Sequence, residues 1–172
     1  GKSEGEFGSE EAIYADSRAA RTWLAQEMEI DENEIVMWGR SMGGAVAVEL
    51  AAADGARGLI LENAFTSLPD VAMTHYRLSP ARWTMQYRFD SLSKIARYRG
   101  PLLQSHAEWD HVVPMALAKR LFAAANEPKT FFIAPDAQHD SPQPESYFHL
   151  VDKFLDRLAT ANEVDPRVNP GG

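Results

Sequence analysis

The chain has 172 residues, of which 45% are hydrophobic and 24% charged, with 17 basic and 25 acidic side chains and no cysteine. That length implies about one domain with enough chain to bury a core, and a net charge of −8 argues against nucleic acid or an anionic membrane as the main partner. The absence of cysteine excludes disulfides, zinc–thiolate sites and a thiol nucleophile, and no apolar run approaches the length of a membrane span.

Residues 1–8 read as a polar, glycine-rich loop. Ser9 is a candidate N-cap, with Glu10 and Glu11 in the first turn, for a helix in which Ile13, Ala19, Ala20, Trp23, Leu24 and Met28 recur at helical spacing. That face is expected to enter the core. Residues 35–38 form a short apolar run, the pattern of a strand covered on both faces. The run leads into Gly39-Arg40-Ser41-Met42-Gly43, and a helix of small residues, 45–53, follows until Asp54-Gly55 ends it.

Residues 59–61 read as the next strand, with Glu62 and Asn63 at its C-terminal end, and 66–78 as a short helix. In 80–99, Trp83, Tyr87, Phe89 and Tyr98 alternate with Arg82, Arg88, Arg97 and Arg99. This segment is either a small lid or a surface connection with its aromatics turned inward. Pro101 opens a strand at 102–105, and Pro114 starts a helix with Leu117, Leu121, Phe122 and Ala125 inside. Residues 130–133 are a fourth strand. Ser141-Pro142 caps a last helix whose stripe is Tyr147, Phe148, Val151, Phe154, Leu155 and Leu158. Residues 1–161 are expected to form one domain and 162–172 a disordered tail.

Strands alternating with helices give the α/β class: about four parallel strands flanked by helices, joined by right-handed crossovers. Ligand sites in such sheets lie at the C-terminal strand ends. Ser41, Glu62 and the loops after 105 and 133 all emerge there.

A serine between two glycines on a strand-to-helix turn is held with its hydroxyl clear of the sheet. Gly39 and Gly43 are expected to leave room where a Cβ would collide with backbone. The helix N-terminus behind Ser41 favours the negative charge of an oxyanion. A serine hydroxyl needs a base, and the base needs an orienting group. Of five histidines, His75 and His149 fall within helices, His106 and His111 flank the loop after the third strand, and His139 follows the last strand. Asp110 lies in a strand-end loop before a helix. The chain order Ser41, Asp110, His139 is that of a nucleophile-elbow hydrolase, with Asp110 holding the tautomer of His139 and His139 taking the serine proton. Glu108 is an alternative acid. His106 would have to sit inside its acid's own loop, and Asp136 and Asp140 are too near His139 for more than a supporting role. Arg40 and Glu62 could pair beside the nucleophile. No metal-ligand spacing is present.

Gly39 to Gly44, the stretch Leu61-Glu62-Asn63-Ala64-Phe65-Thr66-Ser67, Pro101 to Pro114 and Gln138-His139-Asp140 together resemble the α/β-hydrolase superfamily. The branch most resembled holds bacterial serine hydrolases of unassigned substrate and α/β-hydrolase-domain proteins related to depalmitoylases. The opening Gly1-Lys2-Ser3-Glu4-Gly5 resembles the loop before the nucleophile-bearing half. The resemblance implies Ser41 as nucleophile, Asp110 as acid, His139 as base and the Met42 N–H as one oxyanion donor. It implies a small-molecule or acyl-protein ester or thioester as substrate, in preference to an amide, and no cofactor.

Two departures stand out. His106-Ala107 replaces the usual His-Gly. Roughly four further strands precede this region in the family, one of them followed by the second oxyanion donor. The chain is therefore expected to be a fragment or a truncated product, with strand 35–38 as an exposed apolar edge. The competing expectation is a catalytically inactive or incomplete module with a binding or regulatory role.

Overall fold

A computed structural model of the chain describes residues 8–76 and 84–163. Its sheet has four strands, β1 (Val36–Arg40), β2 (Gly58–Glu62), β3 (Leu102–Ala107) and β4 (Lys129–Ala134). They lie in the order β1-β2-β3-β4 and every neighbouring pair is parallel. The α/β class with four parallel strands is thus observed. The α-helices with both ends among the described residues are α1 (Glu10–Met28), α2 (Met42–Asp54), α3 (Leu68–His75), α4 (Leu92–Ile95), α5 (Met115–Ala124) and α6 (Glu145–Glu163).

Successive strand residues face opposite sides, so each central strand supplies two cores. Leu59, Leu61 and Leu102 pack with Val48, Ala51, Ile95 and Leu121 on the side of α2, α4 and α5. Ile60 and Leu103 pack with Tyr147 and Val151 of α6 on the other side. All residues of β2 and β3 are buried, the polar Glu62, Gln104, Ser105 and His106 among them. Burying each of their leucines and isoleucines is worth about 1.5–3 kcal/mol.

The outer strands differ. β1 pairs with β2 alone in the described sheet, in line with the exposed apolar edge expected of 35–38, while Trp38, 49% exposed, corrects the expected cover on both faces. The caps expected at Ser9 and Gly55 are observed; α3 starts at Leu68 behind Ser67 rather than at 66, and Ser141-Pro142 lies ahead of α6, which begins at Glu145. Ser9 Oγ accepts the Ala12 N–H at 3.0 Å, Ser67 Oγ accepts the Asp70 N–H at 3.2 Å, and Gly55 ends α2 with φ +83°.

The predicted inner face of α1 is also corrected. Trp23, Leu24 and Met28 are exposed, while Tyr14, Arg21 and Ala25 are buried. The stripe is rotated because two polar-tipped side chains find partners inside. Tyr14 donates to Glu10 Oε1 at 2.5 Å, and Arg21 donates to the Glu32 carbonyl at 2.8 Å. Their apolar stems then cover the core. In α6, Tyr147, Val151 and Leu158 are buried, but Phe148 and Leu155 are exposed.

Phe89 and Tyr98 are buried, so the described part of the aromatic–basic segment turns those rings inward. The start of that segment, 80–83, lies outside the described residues, as do the end of the expected helix 66–78 and the Gly1–Gly5 loop. α6 continues through Glu163, past the expected start of the tail at 162; residues 164–172 lie outside the described residues. No described helix is long and apolar enough to cross a membrane.

Candidate active site

Ser41 joins β1 to α2 with φ +51° and ψ −120°, a conformation costly for a residue with a Cβ. Its N–H donates to the Glu62 carbonyl at 2.8 Å, and its carbonyl accepts the Gly44 N–H at 3.0 Å. The turn is therefore held on both sides, by the next strand and by the first turn of α2.

Gly39 is required by packing: a Cβ there would lie 2.2 Å from the Gly43 carbonyl oxygen and 2.7 Å from the Gly44 nitrogen. Gly43 departs from the expectation. A Cβ at Gly43 would meet nothing within 4 Å among the described residues. The elbow closes the backbone of Gly43 onto Gly39, leaving the outer side of Gly43 open.

Asp110 lies between β3 and α5 and is 9% exposed. Its Oδ1 accepts the N–H groups of Val112 at 2.8 Å and Val113 at 2.7 Å. Its Oδ2 lies 2.7 Å from His139 Nδ1. His139 Nε2 in turn lies 3.1 Å from Ser41 Oγ. Three side chains from positions 41, 110 and 139 thus form one hydrogen-bonded chain at the C-terminal rim of the sheet. With Asp110 ionised, Nδ1 is the donor and Nε2 is free to accept the serine proton. The Met42 N–H begins α2 directly behind Ser41.

The alternative partners go elsewhere. Glu108 is exposed, and its Oε2 accepts the Asp136 N–H at 3.2 Å. His106 is fully buried and its Nε2 donates to the Val113 carbonyl at 2.9 Å, with Asp110 Oδ2 3.7 Å away. Burial holds the His106 imidazole below its ordinary value of 6.5, against the upward pull of the Val113 carbonyl and the Asp110 carboxylate; His139 pushes it further down. His75 Nε2 contacts the Val112 carbonyl at 2.9 Å, and His111 and His149 are exposed.

Arg40 and Glu62 do not bond as expected. Glu62 Oε1 accepts from Trp38 Nε1 at 2.9 Å, whereas Arg40 Nη2 donates to the carbonyls of His139 and Ser141. Asn63, which sequence reasoning placed at a strand end without a role, donates from Nδ2 to the same His139 carbonyl at 2.8 Å. The sequence carries no signal for this contact, because its acceptor is a main-chain carbonyl.

A cleft of about 270 Å³ touches the site at His139 and is lined besides by His111, Val112, Gln138, Asp140 and Ser141. Among the described residues, no group of three or more histidine or acidic side chains could hold a metal ion.

The family model described as the prolyl oligopeptidase family matches residues 4–161. The uncharacterised protein Rv2307c of Mycobacterium tuberculosis is 38% identical over 135 residues, covering 78% of this chain and 48% of that protein. Protein bem46 of Schizosaccharomyces pombe is 33% identical over 167 residues, covering 90% of this chain and 54% of that protein. The chain therefore spans about half the length of the curated relatives it matches. Among solved structures, an acetyl xylan esterase from Paenibacillus sp. R4 superposes with a TM-score of 0.69 at 17% identity, covering 84% of this chain and 52% of that one. At that identity the likeness concerns the fold.

Proposed function

The chain belongs to the prolyl oligopeptidase family, with an α/β-hydrolase fold, and from that premise we propose that it is a serine hydrolase of carboxylic esters or thioesters acting through an acyl-enzyme. The observation that carries this reading is the unbroken contact from Ser41 Oγ through both ring nitrogens of His139 to Asp110 Oδ2, at 3.1 and 2.7 Å. It starts from a serine at positive φ on a helix N-terminus.

In the proposed reaction Ser41 Oγ attacks the carbonyl carbon while His139 Nε2 takes the hydroxyl proton. The carbonyl π pair moves to oxygen, and the Met42 N–H donates to that oxyanion. Collapse expels the alcohol or thiol, which leaves with the proton from His139. Water then attacks the acyl carbon, giving its proton to Nε2, and the acid product leaves as that proton returns to Ser41. Asp110 stays ionised throughout, fixing the tautomer and stabilising the imidazolium. No cofactor takes part.

Hydrolysis of p-nitrophenyl esters, followed for the chain and its Ser41→Ala variant, tests the reading. Turnover that depends on Ser41 supports it. A folded chain with no turnover on short or long acyl esters or thioesters favours a module used for binding.

A further inference from the structure

His139 is on a loop, yet its ring must meet two partners at once. The loop's main chain is held from two sides at a single atom. Asn63 Nδ2 and Arg40 Nη2 both donate to the His139 carbonyl oxygen. Arg40 Nη2 also reaches the Ser141 carbonyl at 3.0 Å, so it spans the loop two residues further on.

Each of these side chains is anchored in another part of the site. Arg40 immediately precedes Ser41. Asn63 is 2% exposed with φ +48° at the end of β2. Its Oδ1 accepts the Ala107 N–H at 2.9 Å, and its own N–H donates to the Ser105 carbonyl at 3.0 Å. Ala107 ends β3, which leads to Asp110. One amide orientation alone satisfies both contacts, with NH₂ toward a carbonyl and oxygen toward an N–H. Arg40, beside Ser41, and Asn63, bonded to the end of β3 that leads to Asp110, therefore both reach the His139 carbonyl oxygen.

We propose that Arg40 and Asn63 are positioning residues that clamp the backbone of His139 and so set its imidazole between Asp110 and Ser41. The proposal rests on the serine-hydrolase reading. A fixed main chain leaves two side-chain torsions to place the ring, and the Asp110 bond settles those. Without the clamp the loop carbonyl is free to move, and a displacement of about 1 Å in a catalytic group typically costs about 100-fold in rate. An ordinary loop staple would change stability alone.

Two variants separate these roles. Asn63→Asp keeps an acceptor for the Ala107 N–H and replaces the donor to His139 with an oxygen. Arg40→Met keeps the aliphatic stem and removes both donated bonds. Each is compared with the parent 172-residue chain by thermal midpoint, by kcat and KM on a p-nitrophenyl ester, and by NMR of the His139 Nδ1–H proton in ¹⁵N-labelled protein. We expect the parent to show a downfield, exchange-protected Nδ1–H, and both variants to lose or broaden it. We expect kcat to fall about 10–100-fold with KM within about threefold, and Arg40→Lys to recover part of the loss.

Folded variants that keep the parent resonance and kcat within twofold overturn the clamp, as does a parent with no protected Nδ1–H. If Asn63→Asp does not fold, Arg40→Met decides the matter, because Arg40 is only partly buried. Failure of the hydrolase reading is distinct: turnover would be absent or would survive Ser41→Ala, while the imidazole proton would still report on the clamp.

Discussion

Asp110 uses its two carboxylate oxygens for different tasks, Oδ2 toward His139 Nδ1 at 2.7 Å and Oδ1 toward the N–H groups of Val112 and Val113. The loop contacts fix the carboxylate plane, and the other oxygen then fixes the ring. Asp110→Asn leaves an acceptor for the loop but permits an NH₂ group to face Nδ1, which favours the wrong tautomer. We expect kcat to fall about 10³–10⁴-fold with a small change in thermal midpoint. Steady-state kinetics beside a melting curve check this, and a loss below tenfold would contradict the role given to Asp110.

Glu108 provides the matching control. It is exposed and turned toward the Asp136 N–H. Glu108→Gln keeps an acceptor for that contact and should leave kcat/KM within twofold. A large loss would transfer the acid role from Asp110 to Glu108.

The two glycines flanking Ser41 should respond in opposite ways. Gly39→Ala places a Cβ 2.2 Å from a backbone oxygen that cannot move without opening the elbow. Destabilisation at or above the upper end of the about 1–3 kcal/mol usual for overpacking is expected. Gly43→Ala meets no described atom within 4 Å. It lies in the first turn of α2, where alanine restricts the unfolded chain, so stability should stay level or rise by up to about 1 kcal/mol. Chemical denaturation of both variants checks the contrast, and equal losses would contradict it.

His106 sets a pH dependence of stability. Burial is the largest influence and holds its imidazole below 6.5, so the folded protein keeps it neutral. The unfolded chain takes up that proton near pH 6.5 and the folded chain only at lower pH. Below about 6.5 the unfolded state therefore binds more protons, and stability falls as pH drops through the folded value. Above 6.5 this group contributes no slope. Glu10 acts in a separate, more acidic window. Burial raises its carboxyl, but the N–H groups of Phe89 and Arg88, with Tyr14 and Lys94, outweigh that and hold it below 4.5. Urea midpoints measured from pH 8 to 5 should decline on the acid side, and His106→Gln should flatten that decline. An unchanged slope in the variant would remove His106 as its source.

Much of the fold is legible in local pattern, because the apolar residues 59–61 and 102–103 mark strands that are buried throughout, even though Glu62, Gln104, Ser105 and His106 are buried in them as well. The caps at Ser9 and Gly55 follow from local hydrogen bonding and backbone freedom, whereas Ser141-Pro142 does not cap the last helix, which begins at Glu145. Faces that depend on which polar-tipped side chains turn inward are not legible in this way. Trp23 and Met28 look like core, but Tyr14 and Arg21 displace them through contacts with Glu10 and Glu32. At the site, Ser41, Asp110 and His139 can be named from strand-end placement and chain order. The convergence of Arg40 and Asn63 on the His139 carbonyl cannot, since a main-chain acceptor 76 residues from Asn63 carries no side-chain signature. The same holds for Arg40, whose acidic neighbour Glu62 is engaged by Trp38 instead.

The central claim is that Ser41 Oγ is activated through His139 by Asp110. Labelling by a fluorophosphonate probe tests it most directly, because the reaction needs an activated serine and no particular acyl group. The account predicts stoichiometric labelling at Ser41, none in Ser41→Ala, and strongly slowed labelling in His139→Ala. Labelling that persists at full rate in a folded Ser41→Ala protein, or a folded parent chain that does not react, would contradict it.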